Sequence, residues 1–436
     1  SAGVSAMSIA ATWIWAPALL VSAEQAYTHG IVGLFWFIVP NILCLLLFIP
    51  FAKKIRQQMP HGMTLSGYMA EKYHSKAVKR VYLFQLSALA VLSTGVQLLA
   101  GGKILTTITG LPLSVITIIL AAIAFSYAQF SGLKASVLTD ALQMILMILA
   151  CIIMIPLAIS INDGFQPVIN GLNGISREYN SLFSPKGLEV FWAFGLPTAI
   201  GLIAGPFGDQ CFWQRAFAVK QNKIGKAFLG GAILFAVIPL SMGILGFIAA
   251  GSNFIPISQG TVNFELIGYL FPQWVMILFV FMLISGLMST IDSNLCAIAA
   301  LTNDWNNVSK QTNQVQLKIA KVAMIILLLM GIIMANIPNL SVTHLFLIYG
   351  TLRATTLLPT VLTLLERKLS AQGISIGIIV AMVLGLPIFA YGTLCNLSLY
   401  KTIGCLTAVL SSGLVALLIS RIALKRDMAK GVSDGG

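Results

Sequence analysis

The chain has 436 residues, of which 58% are hydrophobic and 9% charged, with mean hydropathy +0.93 and a formal net charge of +13. Soluble domains carry about 25% charged residues, so this composition excludes an ordinary soluble fold and points to a chain that crosses a lipid bilayer many times as helices. The positive charge does not indicate nucleic acid: no basic stripe interleaved with aromatics is present, and basic residues gather in the cytoplasmic loops of membrane proteins.

Apolar runs predict twelve spans, near 5–23, 31–52, 81–107, 112–130, 135–159, 189–209, 225–250, 272–303, 315–337, 341–365, 373–391 and 402–421. If the chain starts inside, 21 of the 26 lysines and arginines fall on the inner side, which places both ends in the cytoplasm. The six cysteines lie mostly in or beside apolar spans without metal or disulfide spacing, and read as small packing residues. The chain enters its first span almost at once and has no basic leader and cleavage pattern, so it is read as a fragment lacking an earlier segment.

Taken in chain order, the first span holds Trp13-Ile14-Trp15-Ala16-Pro17, where Pro17 removes a donor from the helix. The 53–80 segment carries Thr64 to Tyr73 at helical spacing, a short amphipathic helix on the inner surface. Gln97 in the third span, with Trp13 and Trp15, either lines a cavity or packs. Asp140 in the fifth span either pairs with Lys134 or has a task of its own. The sixth span contains Gly205-Pro206-Phe207-Gly208, a second interruption, followed by Asp209, which is read as an ion pair or cap or else as part of a gate. Interruptions in spans one and six, five spans apart, suggest inverted five-span repeats whose broken helices expose backbone groups at mid-membrane.

The eighth span carries Ser289-Thr290-Ile291-Asp292-Ser293. Ser289, Asp292 and Ser293 share one helical face and Thr290 lies beside them, so hydroxyls and a carboxylate converge in a pattern suited to a hard cation such as Na⁺. The alternative is a helix contact held by hydroxyl hydrogen bonds. Arg353, midway along the tenth span, needs a carboxylate, carbonyls or a bound anion, so it either binds an anionic solute group or pairs with a protein acid. No nucleophile–His arrangement, phosphate loop or metal-ligand cluster is present, which argues against an enzyme.

At Gly132-Leu133-Lys134-Ala135 leading to Thr139-Asp140 and Gln143, at Gln214-Arg215-Ala216-Phe217-Ala218, and at Ser289-Thr290-Ile291-Asp292-Ser293, the chain resembles the sodium:solute symporter family. The likeness covers about residues 5 to 370, and the stretches Asp209 to Gln214 and Gly350 to Leu365 look closest to its urea/polyamine-type branch. The resemblance implies an all-α polytopic protein with a LeuT-type inverted repeat. Its core would span 1–370, with repeats at 1–159 and 189–370, and two further helices and a tail at 371–436.

It implies a sodium site formed by backbone carbonyls of Ala11, Ile14 and Gly286 with the hydroxyls of Ser289 and Thr290. A second cation site would map to Asp140, Ser289, Asp292 and Ser293, with a proton as an alternative to sodium. Trp13, Trp15, Gln97, Phe207 and Arg353 are the candidate solute contacts. The resemblance also implies an additional helix before the core. The expected activity is sodium-coupled symport of a small organic solute across the cell (plasma) membrane. The alternative is a transporter-like sensory domain of a signalling protein. Arg353 is taken to favour a solute with a carboxylate, and the oligomeric state is left open.

Overall fold

A computed structural model describes residues 2–129, 133–162, 164–305 and 308–433, and every regular element among them is helical. Within a bilayer each backbone polar group must find its partner inside its own helix, which is why apolar runs of this length fold this way.

The first span is α1 (Ala2–Trp13), then α2 (Ala16–Leu19), then the opening of α3 (Val21–Gln58). Gly30 divides α3 with φ 58° and ψ −146°, so the residues before it finish span one and those after it form span two. Only glycine fits there, because a Cβ would stand 2.2 Å from the Leu172 carbonyl oxygen. The short helix α4 (Leu65–Tyr73) follows, then the long spans α5 (Lys76–Thr109), α6 (Leu113–Ala128) and α7 (Leu133–Ile161).

The short helix α8 (Gln166–Gly171) then leads to the sixth span. That span is assembled from α9 (Pro185–Val190), a π-helical turn Phe191–Gly195, α10 (Leu196–Ile203), α11 (Gly205–Gly208) and α12 (Gln210–Ala218). The remaining elements are α13 (Ile224–Gly251), α14 (Val262–Leu270), α15 (Gln273–Leu301), α16 (Asn313–Ala335) and α17 (Val342–Leu364). A last pair is formed by α18 (Ala371–Val380) with α19 (Leu386–Leu394), joined by a π-helical turn, and by α20 (Ser398–Ser433).

Ten helices among the described residues are long and apolar enough to cross a membrane, against twelve expected spans. The difference has two physical sources. The break at Trp15 leaves α1 too short to qualify alone, and α6 keeps an apolar stretch of only Leu113–Ser126. The most buried of the long spans are α17 and α5, while α16, α7 and α20 turn large apolar side chains outward, as a lipid-facing rim does. Helix α15 packs between α7 and α5, and α1 packs on α13, α7 and α15, so the broken first span lies inside the bundle.

The amphipathic helix expected at 64–73 is present as α4, but it is bound more firmly than a surface helix. Thr64 caps it by accepting from Gly67 N, and the hydroxyls of Thr64 and Ser66 both donate to Asp304 Oδ2, at 2.6 and 2.5 Å. Gln210 clamps its start, accepting from Leu65 N and donating to Met63 O.

Candidate cation and solute site

In an unbroken helix the carbonyls of Ala11, Thr12, Trp13 and Ile14 would accept from the N–H groups of residues 15 to 18. Pro17 has none to offer Trp13. Ala16 N donates instead to Gln97 Oε1 at 2.8 Å, and Ala18 N to Trp15 O at 2.9 Å. Trp15 is extended, with φ −109° and ψ −179°, and no backbone bond joins its N–H to Ala11 O. Four successive carbonyls are thereby left without helix partners. The break lies before the proline rather than at it, because Pro17 sits in the first turn of α2, where its missing N–H costs nothing.

These carbonyls meet α15. A Cβ built on Gly286 would stand 3.4 Å from Ile14 O, and Thr290 Oγ1 donates to Gly286 O at 3.3 Å. One position earlier, Ser289 Oγ donates to Asp140 Oδ1 at 2.5 Å. Carbonyl and hydroxyl oxygens in this number suit a hard cation and give a soft metal nothing to prefer.

Asp140 is fully buried, and its charge is met by Arg215 rather than by a residue of its own helix. Arg215 Nη2 donates to Asp140 Oδ2 at 2.9 Å and to Ser293 Oγ at 2.8 Å, its Nε to Ser8 Oγ at 3.2 Å, and its Nη1 to Cys211 O at 3.0 Å. Ser8 Oγ in turn donates to Asp140 Oδ2 at 2.7 Å, and Thr12 Oγ1 lies 3.2 Å from Ser293 Oγ. Four helices are tied together beside the freed carbonyls. Of the residues expected at a second cation site, Asp140, Ser289 and Ser293 do converge, but the positive charge among them is a guanidinium. Asp292 is buried on the same helix. The side chain of Lys134, the alternative partner for Asp140, lies outside the described residues, as does Gly132.

The sixth span breaks one residue later than expected. Gly205 to Gly208 form a helical turn, with Pro206 in its first positions, and Asp209 is the extended residue, at φ −118° and ψ 118°. Its Oδ1 caps α12 by accepting from Cys211 N at 2.9 Å. Its Oδ2 accepts from Arg353 Nη2 at 2.9 Å and from Tyr349 OH at 2.7 Å. Arg353 also donates to the Tyr349 hydroxyl, and its guanidinium carbon lies 3.8, 5.0 and 5.6 Å from the ring centres of Tyr349, Trp13 and Trp15. A small cavity beside it is lined by Thr12, Trp13, Trp15, Ser93, Thr290 and Asn294, among others, so the solute candidates and the cation candidates share a wall.

Two expected solute contacts sit elsewhere. Both ends of the Gln97 amide are committed, Oε1 to Ala16 N and Nε2 to Ser93 O, so Gln97 holds the helix break open. Phe207 packs in an aromatic cluster with Phe48, Phe51 and Trp213, away from that cavity. The sequence left Arg353 either to bind an anionic solute group or to pair with a protein acid, and its Nη2 is paired with Asp209. Sequence reasoning missed Ser8 and Thr12, which in an apolar stretch look like any helix hydroxyls, and Tyr349, one turn before Arg353. Arg215 was quoted as part of a motif without a partner. Its spacing from Asp140 carries no signal.

Comparison with known proteins bears on the fold and the family. Over 96% of this chain and 90% of the other, the fold superposes with TM-score 0.74 and 15% identity on a Na⁺-coupled sialic acid symporter in a substrate-bound, outward-open state. The chain is 25% identical to a probable urea active transporter of Schizosaccharomyces pombe, over 57% of this chain but only 39% of that protein's length. It is 24% identical to the sodium/pantothenate symporter of Escherichia coli, over 87% of this chain and 80% of that one. The sequence model of the sodium:solute symporter family matches residues 2–385, nearly the whole chain, and the protein belongs to that family.

Proposed function

We propose that the protein is a secondary active transporter that couples movement of a small organic solute to sodium by alternating access in the plasma membrane. The observation that carries this reading is the run of four carbonyls from Ala11 to Ile14, freed by the break in the first span beside Gly286, Ser289 and Thr290. Sodium binds to the carbonyls of Ala11, Ile14 and Gly286 and to the hydroxyls of Ser289 and Thr290. Asp140 and Ser293, already balanced by Arg215, form the charged shell behind Ser289. Asp292 remains the candidate for a second cation or a proton. The solute meets Trp13, Trp15 and Arg353, on the far side of the wall formed by Thr12 and Thr290. Each ligand favours the same state of the core, which is what coupling requires.

The same reading gives a core over 1–370 with repeats at 1–159 and 189–370, and two additional helices with a tail over 371–436. The breaks in spans one and six support it. Both ends are placed in the cytoplasm on the distribution of basic residues.

The test is uptake of a solute panel into proteoliposomes under an inward sodium gradient, an inward proton gradient, or neither. Uptake follows the sodium gradient, and Ser289→Ala or Thr290→Ala raises the sodium concentration needed for half-maximal uptake. Uptake that ignores sodium and both substitutions overturns the reading, and uptake that follows the proton gradient reassigns the coupling ion.

A further inference from the structure

The long spans pack as two bodies with a narrow seam between them. Helices α1 and α3 pack chiefly on α13, whereas α5 packs chiefly on α16 and α15, and then on α6 and α17. By comparison, α3 and α17 meet over a short stretch. Side chains cross this seam at the end of the bundle that the basic residues place outside. Thr343 Oγ1, in the first turn of α17, donates to Glu24 Oε2 in the opening of α3 at 2.7 Å. Lys103 Nζ, in the last two turns of α5, donates at 3.3 Å to Leu340 O, just before α17. Lys103 thus anchors the start of α17 to its own body, and its charge faces Glu24 across the seam. All three side chains are half-buried.

These contacts stand directly over the aromatic solute candidates. One and two turns along α17 from Thr343, the rings of Phe346 and Tyr349 lie 5.6 and 4.8 Å from that of Trp15, and Phe37 lies 5.8 Å from Phe346. The cavity beyond them, at Arg353, holds about 10 Å³, room for about one water. At the opposite end a cavity of about 680 Å³ is lined by Gln214, Phe217, Cys296 and Ala300, among others. The bundle is thus shut above the rings and hollow below them. A hydrogen bond to a charged group is worth more than a neutral one, and a half-buried pair is screened less than a surface pair. Contacts this few across a narrow seam hold two bodies together and still let them part.

We propose, on the basis of the transport reading above, that Glu24, Lys103 and Thr343 form an outer latch. It holds the end of the first span against the start of the tenth, over Trp15, and it parts before a solute reaches the rings. The latch binds no solute itself. It sets how often the outward-open state is visited, so weakening it raises that population.

The experiment reads access to a thiol placed under the latch. Ala100 is buried on α5 one turn from Gln97 and one turn from Lys103, so a reagent coming from outside meets the latch first. Ala100→Cys is made in a chain whose exposed Cys395 is replaced by serine, and intact cells expressing the full chain are treated with a membrane-impermeant maleimide. Labelling is read against the same chain without Ala100→Cys. With the latch intact it is slow. Thr343→Val removes the donor and speeds it about tenfold, and Glu24→Gln, which removes the charge facing Lys103, shifts it in the same direction. Unchanged rates in both variants overturn the proposal. So does labelling of Cys151, buried against Met282 far along the chain, in step with the introduced thiol, because the loosening is then general. Failure of both variants to fold overturns it as well, since the contact is then part of the core. No solute is needed for this readout. Faster labelling in cells that show no sodium-coupled uptake keeps the latch and sinks the transport reading, and sodium-coupled uptake with unchanged labelling does the reverse.

Discussion

Arg215 Nη2 lies 2.9 Å from Asp140 Oδ2 with both side chains buried, joining α12 to α7 across 75 positions of sequence. Ser8, Ser289 and Ser293 complete the hydrogen bonding around the pair, and without them two charges in a dry bundle would be hard to hold. Removing one partner strands the other. Arg215→Gln is expected to cost about 3–5 kcal/mol of stability. The double variant Asp140→Asn with Arg215→Gln recovers most of it. Chemical denaturation in detergent of the wild type, both single variants and the double variant checks this, and additive losses would mean that the pair is not coupled.

Gln97 governs whether the first span stays broken. Its Oε1 accepts the Ala16 N–H that would otherwise return to Thr12 O. Gln97→Leu removes that acceptor at the start of α2, at a cost of about 1 kcal/mol by analogy with a lost helix cap. It also weakens sodium binding more than it weakens the fold. Gln97→Glu keeps an oxygen in place and retains more of the sodium response. A sodium titration followed by unfolding temperature separates the two effects.

At Gly205 the sixth span lies directly against the Trp13 ring of the first. A Cβ there would stand 2.4 Å from Trp13 Cη2 and 3.3 Å from Arg353 Nη1. Gly205→Ala is expected to destabilise by about 1–3 kcal/mol through overpacking. Adding Trp13→Phe, which removes the conflicting ring edge, restores stability in the double variant. If Gly205→Ala is neutral alone, the two spans do not touch there.

Helix α4 hangs on Asp304, which accepts from both Thr64 and Ser66. Asp304→Ala leaves those hydroxyls without their acceptor, and amide exchange should quicken across Leu65–Tyr73 while the long spans stay protected. The same helix has its own pH limit. Tyr68 donates to Gln58 Oε1, and burial, aided by the nearby Tyr73 and Glu366, pushes its hydroxyl up to about 12. Because the folded value lies above the unfolded one, its contribution is complete below about 10 and is lost as pH rises toward 12. Ultraviolet titration of tyrosinate, compared with Tyr68→Phe, shows whether one hydroxyl ionises late.

The readable part of this protein was whatever hydropathy and backbone chemistry fix locally. Apolar runs marked the spans, Pro17 and the Gly205–Gly208 segment marked the two that break, and the hydroxyls of Ser289 and Thr290 stood out because polar groups are costly in lipid. The breaks themselves moved by one to three residues, to Trp15 and Asp209. The helix terminus is set by where donors are recaptured, by Gln97 in one case and by Asp209's own carboxylate in the other. What no spacing encodes is which acid meets which base. Asp140 looked to Lys134, and Asp209 lay beside Arg215. The folded chain gives Asp140 to Arg215 and Asp209 to Arg353, because packing of α12 against α15 and of α11 against α17 decides which groups meet. Arg353's readiness for an anion was inferred from its isolation in the sequence, and that isolation ended at a residue 144 positions away.

Asp209 places its two oxygens on two different bodies, one on the first turn of α12 and one on the side chain of α17. A carboxylate held in this way works as a rivet. The α12 half of the sixth span cannot swing from the tenth without shearing it, so on the proposed transport reading any opening between them is mechanically tied to the Arg353 guanidinium. On that reading, whatever meets the guanidinium changes the torque needed to open, and release of solute and loosening of this contact become one motion.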